Sequence, residues 1–124
     1  PLNDKFYAFM TERDSLLTLL QNLPRKGSKM ILDGYDYDGI MRQLGEEEAL
    51  LRMAIDKLET NFVTENYDNV LGLTYFLVLC DNAHNQFGFP TTTPQIDEIY
   101  SRAPEDFKQN KDVVEYMRLC EEED

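Results

Sequence analysis

The sequence predicts an all-α fold, a single-domain bundle of about five helices with a buried central helix at residues 66–87. Three observations lead to this prediction. Apolar residues recur at spacings of three and four along much of the chain, which is the period of a helix that buries one face. Residues 66–87 are apolar nearly all round, which is typical of a helix buried on every side. The length of 124 residues is that of one domain.

The first helix is predicted over residues 3–23, followed by a basic loop at 24–29. The sequence "TERD" at 11–14 has the pattern of a capping box, so a bend or restart is expected there. Pro24 is expected to end the helix. The apolar residues that define the predicted face are Phe6, Phe9, Met10, Leu16, Leu17, Leu20 and Leu23.

The second helix is predicted over residues 38–61, with Asp36 or Asp38 as its N-cap. Gly45 interrupts the apolar stripe and marks the place for a break or kink, because glycine costs about 1 kcal/mol relative to alanine inside a helix. The stripe consists of Ile40, Leu44, Leu51, Ile55, Leu58 and Phe62.

The third helix, at residues 66–87, has a buried strand as its alternative, since "LTYFLVL" is rich in residues that favour strands. The helix is favoured because helix-compatible residues continue through "CDNAHNQF" without a turn signal.

The last third of the chain is predicted as a loop and two helical stretches. "GFPTTTP" at 88–94 is the loop, and Thr93 with Pro94 starts a short helix at 94–102. Pro104 opens the final stretch. Its apolar face is expected to hold Val113, Val114, Met117 and Leu119, before a short acidic tail at residues 121–124.

The net charge is the main indication of function. Twenty-four acidic residues against twelve basic ones give −12 and a pI of about 4.4. Phosphate contacts require Lys and Arg, so nucleic acid is excluded as a direct partner, and anionic membranes are disfavoured. Residues 1–30 carry +2, whereas residues 31–72 and 73–124 carry −7 each. Such a charge favours a basic partner, or it serves solubility alone.

The two cysteines are predicted to be free thiols in a reducing, cytoplasmic compartment, because two cysteines are too few for a disulfide framework in this chain. No basic-then-apolar leader is visible at the start, so no secretory signal is expected. The longest apolar run, at residues 70–80, is shorter than the ~20 residues that a spanning helix needs.

The stretch "LDGYDYDG" at 32–39 is the first candidate site. It is not a calcium loop, because with Gly39 at the sixth position the first and twelfth ligands would be Gly34 and Gly45. An Asp-rich turn that caps the next helix accounts for Asp38 but leaves Tyr35 and Tyr37 unexplained. Tyrosines are common interface anchors, so contact with a basic protein is the second interpretation. The predicted contact residues are Asp33, Tyr35, Asp36, Tyr37 and Asp38, extended by Glu46, Glu47 and Glu48.

The second candidate site combines "GEEEALL" at 45–51 with "ENYD" at 65–68. This arrangement resembles a motif of the all-α nucleoside-triphosphate pyrophosphohydrolases, which carry Glu-Glu-x-x-Glu on one helix and Glu-x-x-Asp on the next. The resemblance implies a magnesium site at Glu47, Glu48, Glu65 and Asp68. The sequence departs from the motif at its third glutamate, where Leu50 or Leu51 stands.

No complete catalytic set is visible. His84 and Cys80 form an i,i+4 pair on the third helix, but further metal ligands or an orienting group are not apparent. Neither a dinucleotide fingerprint nor a nucleophile elbow is present. No cofactor and no catalytic residue are therefore predicted.

The predicted function is that of an acidic inhibitor that neutralises a basic partner, such as a nuclease or another nucleic-acid-binding enzyme. Immunity proteins, antitoxins and phage inhibitors are of this type, and complementary charge speeds their encounter with the target. A helical adaptor or regulatory subunit is the alternative, and the magnesium-dependent pyrophosphohydrolase is a further one. The chain is expected to act as a monomer or homodimer.

Overall fold

The all-α fold class is confirmed. The computed structural model describes residues 1–123, with side chains through Glu122, and this part of the chain contains seven helices and no strand. None of these helices combines the length and apolar character needed to cross a bilayer. The helices are α1 (Leu2–Gln21), α2 (Leu23–Leu32), α3 (Tyr37–Thr64), α4 (Val70–Phe87), α5 (Pro94–Arg102), α6 (Glu105–Lys108) and α7 (Lys111–Glu123).

The chain divides into two compact units. The N-terminal unit is Pro1–Glu59 and the C-terminal unit is Thr60–Asp124, with the boundary inside α3. The prediction of a single domain stays a prediction.

Helix α1 runs through the predicted restart at residues 11–14 without a break. The Thr11 hydroxyl donates to the carbonyl oxygen of Tyr7 one turn earlier (2.9 Å). A threonine that bonds back within its own helix is compatible with helix continuation, so the capping-box interpretation was wrong.

Helix α2 occupies the segment that was predicted as a basic loop. Pro24 lies in the first turn of α2, where its missing N–H and fixed φ do not disturb the helix. The proline therefore starts a helix after the one-residue interruption at Asn22, and the loop prediction was wrong.

Helix α3 continues through Gly45, so the predicted break does not occur. Ile40, Phe62 and Val63 are buried, while the middle of the predicted stripe (Leu44, Leu51, Ile55, Leu58) is half-buried. The Arg13 Nε donates to Glu59 Oε2 at 3.1 Å, and this ion pair joins α1 to α3 inside the N-terminal unit.

Helix α4 begins at Val70, four residues later than predicted. The Asn69 side chain caps it by accepting from Leu71 N–H at 2.9 Å. Residues 65–68 form the preceding turn. A Cβ at Gly72 would lie 2.1 Å from the carbonyl oxygen of Asn66, so this close approach requires glycine.

The core of the C-terminal unit is built around α4, which packs against α5 and α7. Phe76 is fully buried, and its ring meets Phe107 edge-on at 5.3 Å. Tyr67 also meets the Phe107 ring edge-on, at 5.0 Å, and donates its hydroxyl to the carbonyl oxygen of Ile99. The buried residues of α4 are Gly72, Tyr75, Phe76, Leu79, Cys80 and Ala83.

Helix α5 matches its predicted bounds, and Thr93 caps it by accepting from Ile96 N–H (3.1 Å). Helix α7 buries Val113, as predicted, together with Tyr116 and Cys120, which were not predicted, while Met117 and Leu119 are half-buried. Val114 is exposed. Residues 121–123 of the predicted acidic tail form the last turn of α7. Asp124, which ends the tail, lies outside the described residues.

Candidate functional site

The turn between α2 and α3 is built from two capping motifs. Gly34 has φ of +91°, a conformation that glycine adopts at little cost. The Gly34 N–H donates to the carbonyl oxygen of Ile31 (3.1 Å), and the Tyr35 N–H donates to that of Met30 (3.1 Å). These two bonds form a Schellman motif that closes α2.

Asp36 then opens α3. Its Oδ2 accepts from the Gly39 N–H at 2.9 Å, and its carbonyl oxygen accepts from the Ile40 N–H at 2.9 Å. Asp36 is therefore the N-cap, and Asp38 stands in the first turn. The capping interpretation is therefore confirmed for Asp36, whereas the alternative that Asp38 caps α3 was wrong, because Asp38 lies inside the first turn.

The side chains around this turn project into solvent. Leu32 is 86% exposed, Tyr35 63% and Tyr37 61%. Within the described part of the chain, Asp33 and Asp38 have no hydrogen-bond or ion-pair partner for their carboxylates. We call residues 31–38 the turn patch. It combines large apolar and aromatic side chains with unneutralised carboxylates, a combination that fits a protein contact surface.

An open groove adjoins the turn patch. It has a volume of about 560 Å³ and lies along α2 and α3, and Tyr37 belongs to both the groove and the patch. Arg52 and Glu48 stand at the far end, where the Arg52 guanidinium donates to Glu48 Oε1 (3.0 Å). The remaining lining residues are Leu20, Leu23, Pro24, Gly27, Ser28, Ile31, Ile40, Met41, Leu44 and Gly45. We call it the α2–α3 groove.

A second, smaller groove lies in the same unit. It has a volume of about 370 Å³ and is lined by Leu19, Asn22, Leu23, Lys26, Glu47, Leu50 and Leu51. Leu23 borders both grooves. Both grooves belong to the N-terminal unit and are largely apolar.

The structure separates the three glutamates that were predicted to extend the contact patch. Successive helical residues point about 100° apart, and Glu48 borders the α2–α3 groove whereas Glu47 borders the second groove. Lys26 Nζ donates to both Glu47 oxygens (2.9 and 3.0 Å). Hydrogen bonds from Lys26 and then Gln43 hold the pKa of Glu47 below its ordinary value. Glu46 is exposed. Glu48 thus lines the groove that includes Tyr37, Glu47 lines the other groove, and the contact role of the three glutamates stays a prediction.

The geometry gives little support to a metal site. Among the side chains of residues 1–122, no three His, Cys, Asp or Glu are grouped so that they could hold a metal ion. Glu65 and Asp68 stand in the turn before α4 rather than on a helix. The helical Glu-x-x-Asp of the pyrophosphohydrolase motif is therefore not reproduced.

The Cys80 thiol is not an activated nucleophile. Cys80 is buried, and burial raises the pKa of its thiol to about 12, so that the reactive thiolate is scarce at neutral pH. His84 is exposed on the same helix. In the described part of the chain, neither Cys80 nor Cys120 forms a disulfide.

Sequence reasoning missed the apolar part of the site. Ile31 and Leu32 received no role, although the run "MIL" directly precedes the turn. Met41 and Gly45 line a groove only because α2 lies beside α3. This was not predicted, because α2 was predicted as a loop. Comparison with family models, curated proteins and solved structures gives no match.

Proposed function

We propose that this chain is a protein-binding inhibitor that docks on a basic partner, such as a nuclease or another nucleic-acid-binding enzyme, through the turn patch. The observation that carries the proposal is the turn patch itself, where Leu32, Tyr35 and Tyr37 are exposed next to the carboxylates of Asp33 and Asp38, for which the described part of the chain supplies no partner. Aromatic anchors supply contact area, and carboxylates among them select Lys and Arg on the partner.

The distribution of charge supports different roles for the two units in binding. The C-terminal unit carries thirteen acidic and four basic residues, whereas the N-terminal unit carries eleven and eight. A strongly negative field speeds the diffusional approach of a basic protein without touching it. The close contact is then made by the N-terminal unit. The two free cysteines support a reducing compartment such as the cytoplasm.

The second candidate function is a helical adaptor. The observation that favours it is the pair of grooves in one unit, since an adaptor needs two binding surfaces. An adaptor would hold two proteins at once, whereas the inhibitor would hold one.

The test is capture from native lysate by the immobilised chain, with washes at low and high salt. Two double variants change the turn patch, Asp33→Asn with Asp38→Asn and Tyr35→Ala with Tyr37→Ala. The matched control is Asp81→Asn with Glu121→Gln, which removes two exposed carboxylates from the C-terminal unit.

We expect the parent chain and the control to retain one basic protein at low salt and to release it at high salt, and both turn variants to fail. With the purified partner, the Asp variant should associate about tenfold more slowly and with a flatter salt dependence. Equal retention by the turn variants would contradict the proposal, and simultaneous capture of two proteins would favour the adaptor.

A further inference from the structure

The α2–α3 groove has the dimensions of a helix-binding surface. Its α3 side extends from Tyr37 to Arg52, which is about 22 Å at 1.5 Å per residue, or about four helical turns. The surface between these ends is mainly apolar, through Leu23, Ile31 and Met41. A groove of this length and character suits the apolar face of an amphipathic helix.

Gly45 points to an incoming side chain. It lies in the middle of α3 and lines the groove, and a Cβ at this position would meet nothing within 4 Å. The packing of the chain therefore does not explain a residue that weakens a helix. Without a side chain at Gly45, the groove has an open stretch where a large residue of a ligand fits.

The charges around the groove indicate in which direction a ligand would lie along it. Asp33 and Asp38 stand at the end where Tyr37 lies. Arg25 and Lys29 follow the lining residues Pro24 and Ser28 along α2. Basic residues of a ligand are therefore favoured over the turn patch and disfavoured along α2.

We infer that the α2–α3 groove takes an amphipathic helix of the partner, with its apolar face in the groove and a cluster of Lys or Arg at the end above the turn patch. This inference rests on the proposed function and names the structural element that the partner supplies.

The test uses a displayed library of helical peptides of about 15 residues, selected on the parent chain. Enriched peptides are then measured by fluorescence anisotropy against Gly45→Leu and Ala54→Leu. Gly45→Leu fills the groove in open space. Ala54→Leu adds the same side chain at an exposed position on the opposite face of α3. Light scattering gives the molar mass of each variant.

We expect enriched peptides with apolar residues at helical spacing and Lys or Arg at one end. Their affinity should fall at least about tenfold on Gly45→Leu and stay unchanged on Ala54→Leu. Peptides without this pattern, or with equal affinity for Gly45→Leu, would overturn the inference. A parent dimer that becomes monomeric in Gly45→Leu would overturn it too, because a second copy would then fill the groove.

The two proposals fail separately. If Gly45→Leu still captures the basic protein from lysate while the turn variants lose it, the groove inference falls and the proposed function stands. If the peptides bind the groove but no basic protein is captured through the turn patch, the proposed function falls and the groove needs another ligand.

Discussion

The two units of the chain differ in how many of their hydrophobic side chains are buried. In the described residues, the buried hydrophobic side chains belong to the C-terminal unit with two exceptions, Phe9 and Ile40. Most of the large hydrophobic side chains that remain exposed belong to the N-terminal unit, with Leu32, Tyr7 and Met53 among the most exposed. The units have similar lengths, so the difference lies in how the apolar residues are placed.

This difference indicates which unit stabilises itself and which is available for binding. Burial of apolar surface contributes about 25 cal/mol per Å², and the C-terminal unit obtains this contribution from its own core. Contiguous apolar surface that stays exposed is typical of interaction sites. The N-terminal unit therefore leaves more apolar surface exposed, as the proposed docking role requires, and the C-terminal unit carries most of the net negative charge.

The largest expected effect is on the core of the C-terminal unit. Phe76→Ala removes a fully buried ring that packs against Phe107 and should cost about 3–5 kcal/mol of unfolding free energy. Phe6→Ala, at a residue that is 41% exposed, should cost less than half as much. Denaturant titration measures both values, and hydrogen exchange should show the loss of protection in residues 60–123 for Phe76→Ala. Equal costs would contradict the contrast between the units.

Two glycines, one in each unit, sharpen the comparison. Substitution by alanine should lower the unfolding free energy at one of them and raise it at the other. Gly72→Ala places a Cβ against the backbone of Asn66 and should destabilise by about 1–3 kcal/mol. Gly45→Ala meets open space and should stabilise by about 0.5–1 kcal/mol. Chemical denaturation of both variants checks this. Destabilisation by Gly45→Ala would remove the main support for an open place in the groove.

Alkaline pH should weaken the C-terminal unit through Cys80. Burial raises the pKa of the Cys80 thiol from 9.0 to about 12, so the folded state holds this proton more tightly than the unfolded state. The stabilisation is complete below about pH 9 and is lost as pH rises towards 12. The unfolding free energy should therefore fall over this window, and less steeply in Cys80→Ala. Leu79→Ala, a neighbouring buried truncation without a titrating group, should keep the parent slope. Equal slopes in the parent and Cys80→Ala would contradict this origin.

The sequence predicted the parts of the fold that depend on local signals. Thr93 and Pro94 fixed the start of α5, and the apolar period fixed α3, because capping and periodicity act within a few residues. Pro24 was misinterpreted because proline is compatible with both the end of one helix and the first turn of the next. Helix α2 was therefore predicted as a loop.

Only part of the candidate site was predictable, because the sequence shows local patterns but not which helices lie side by side. Asp33, Tyr35 and Tyr37 were identified from composition alone, since tyrosines between aspartates have no structural requirement in a turn. The groove was not predictable, because it exists only where α2 and α3 lie side by side. The role of Gly45 could not be inferred either, since a glycine within a helical pattern gives the same local signal whether it kinks the helix or leaves space beside it.

The smallest expected effect separates stability from binding inside the turn patch. Asp36→Ala removes the side chain that accepts the Gly39 N–H and should cost about 1 kcal/mol of stability. Asp33→Asn changes a carboxylate without a partner in the described residues and should leave stability within about 0.5 kcal/mol of the parent. Thermal denaturation gives both values, and association with the captured basic protein should change in the opposite order. Asp33 would then act through the charge that it presents to a partner, and Asp36 through the helix that it starts. If Asp33→Asn lowered stability as much as Asp36→Ala, both aspartates would belong to the fold, and the contact surface would shrink to the exposed apolar and tyrosine side chains with Asp38.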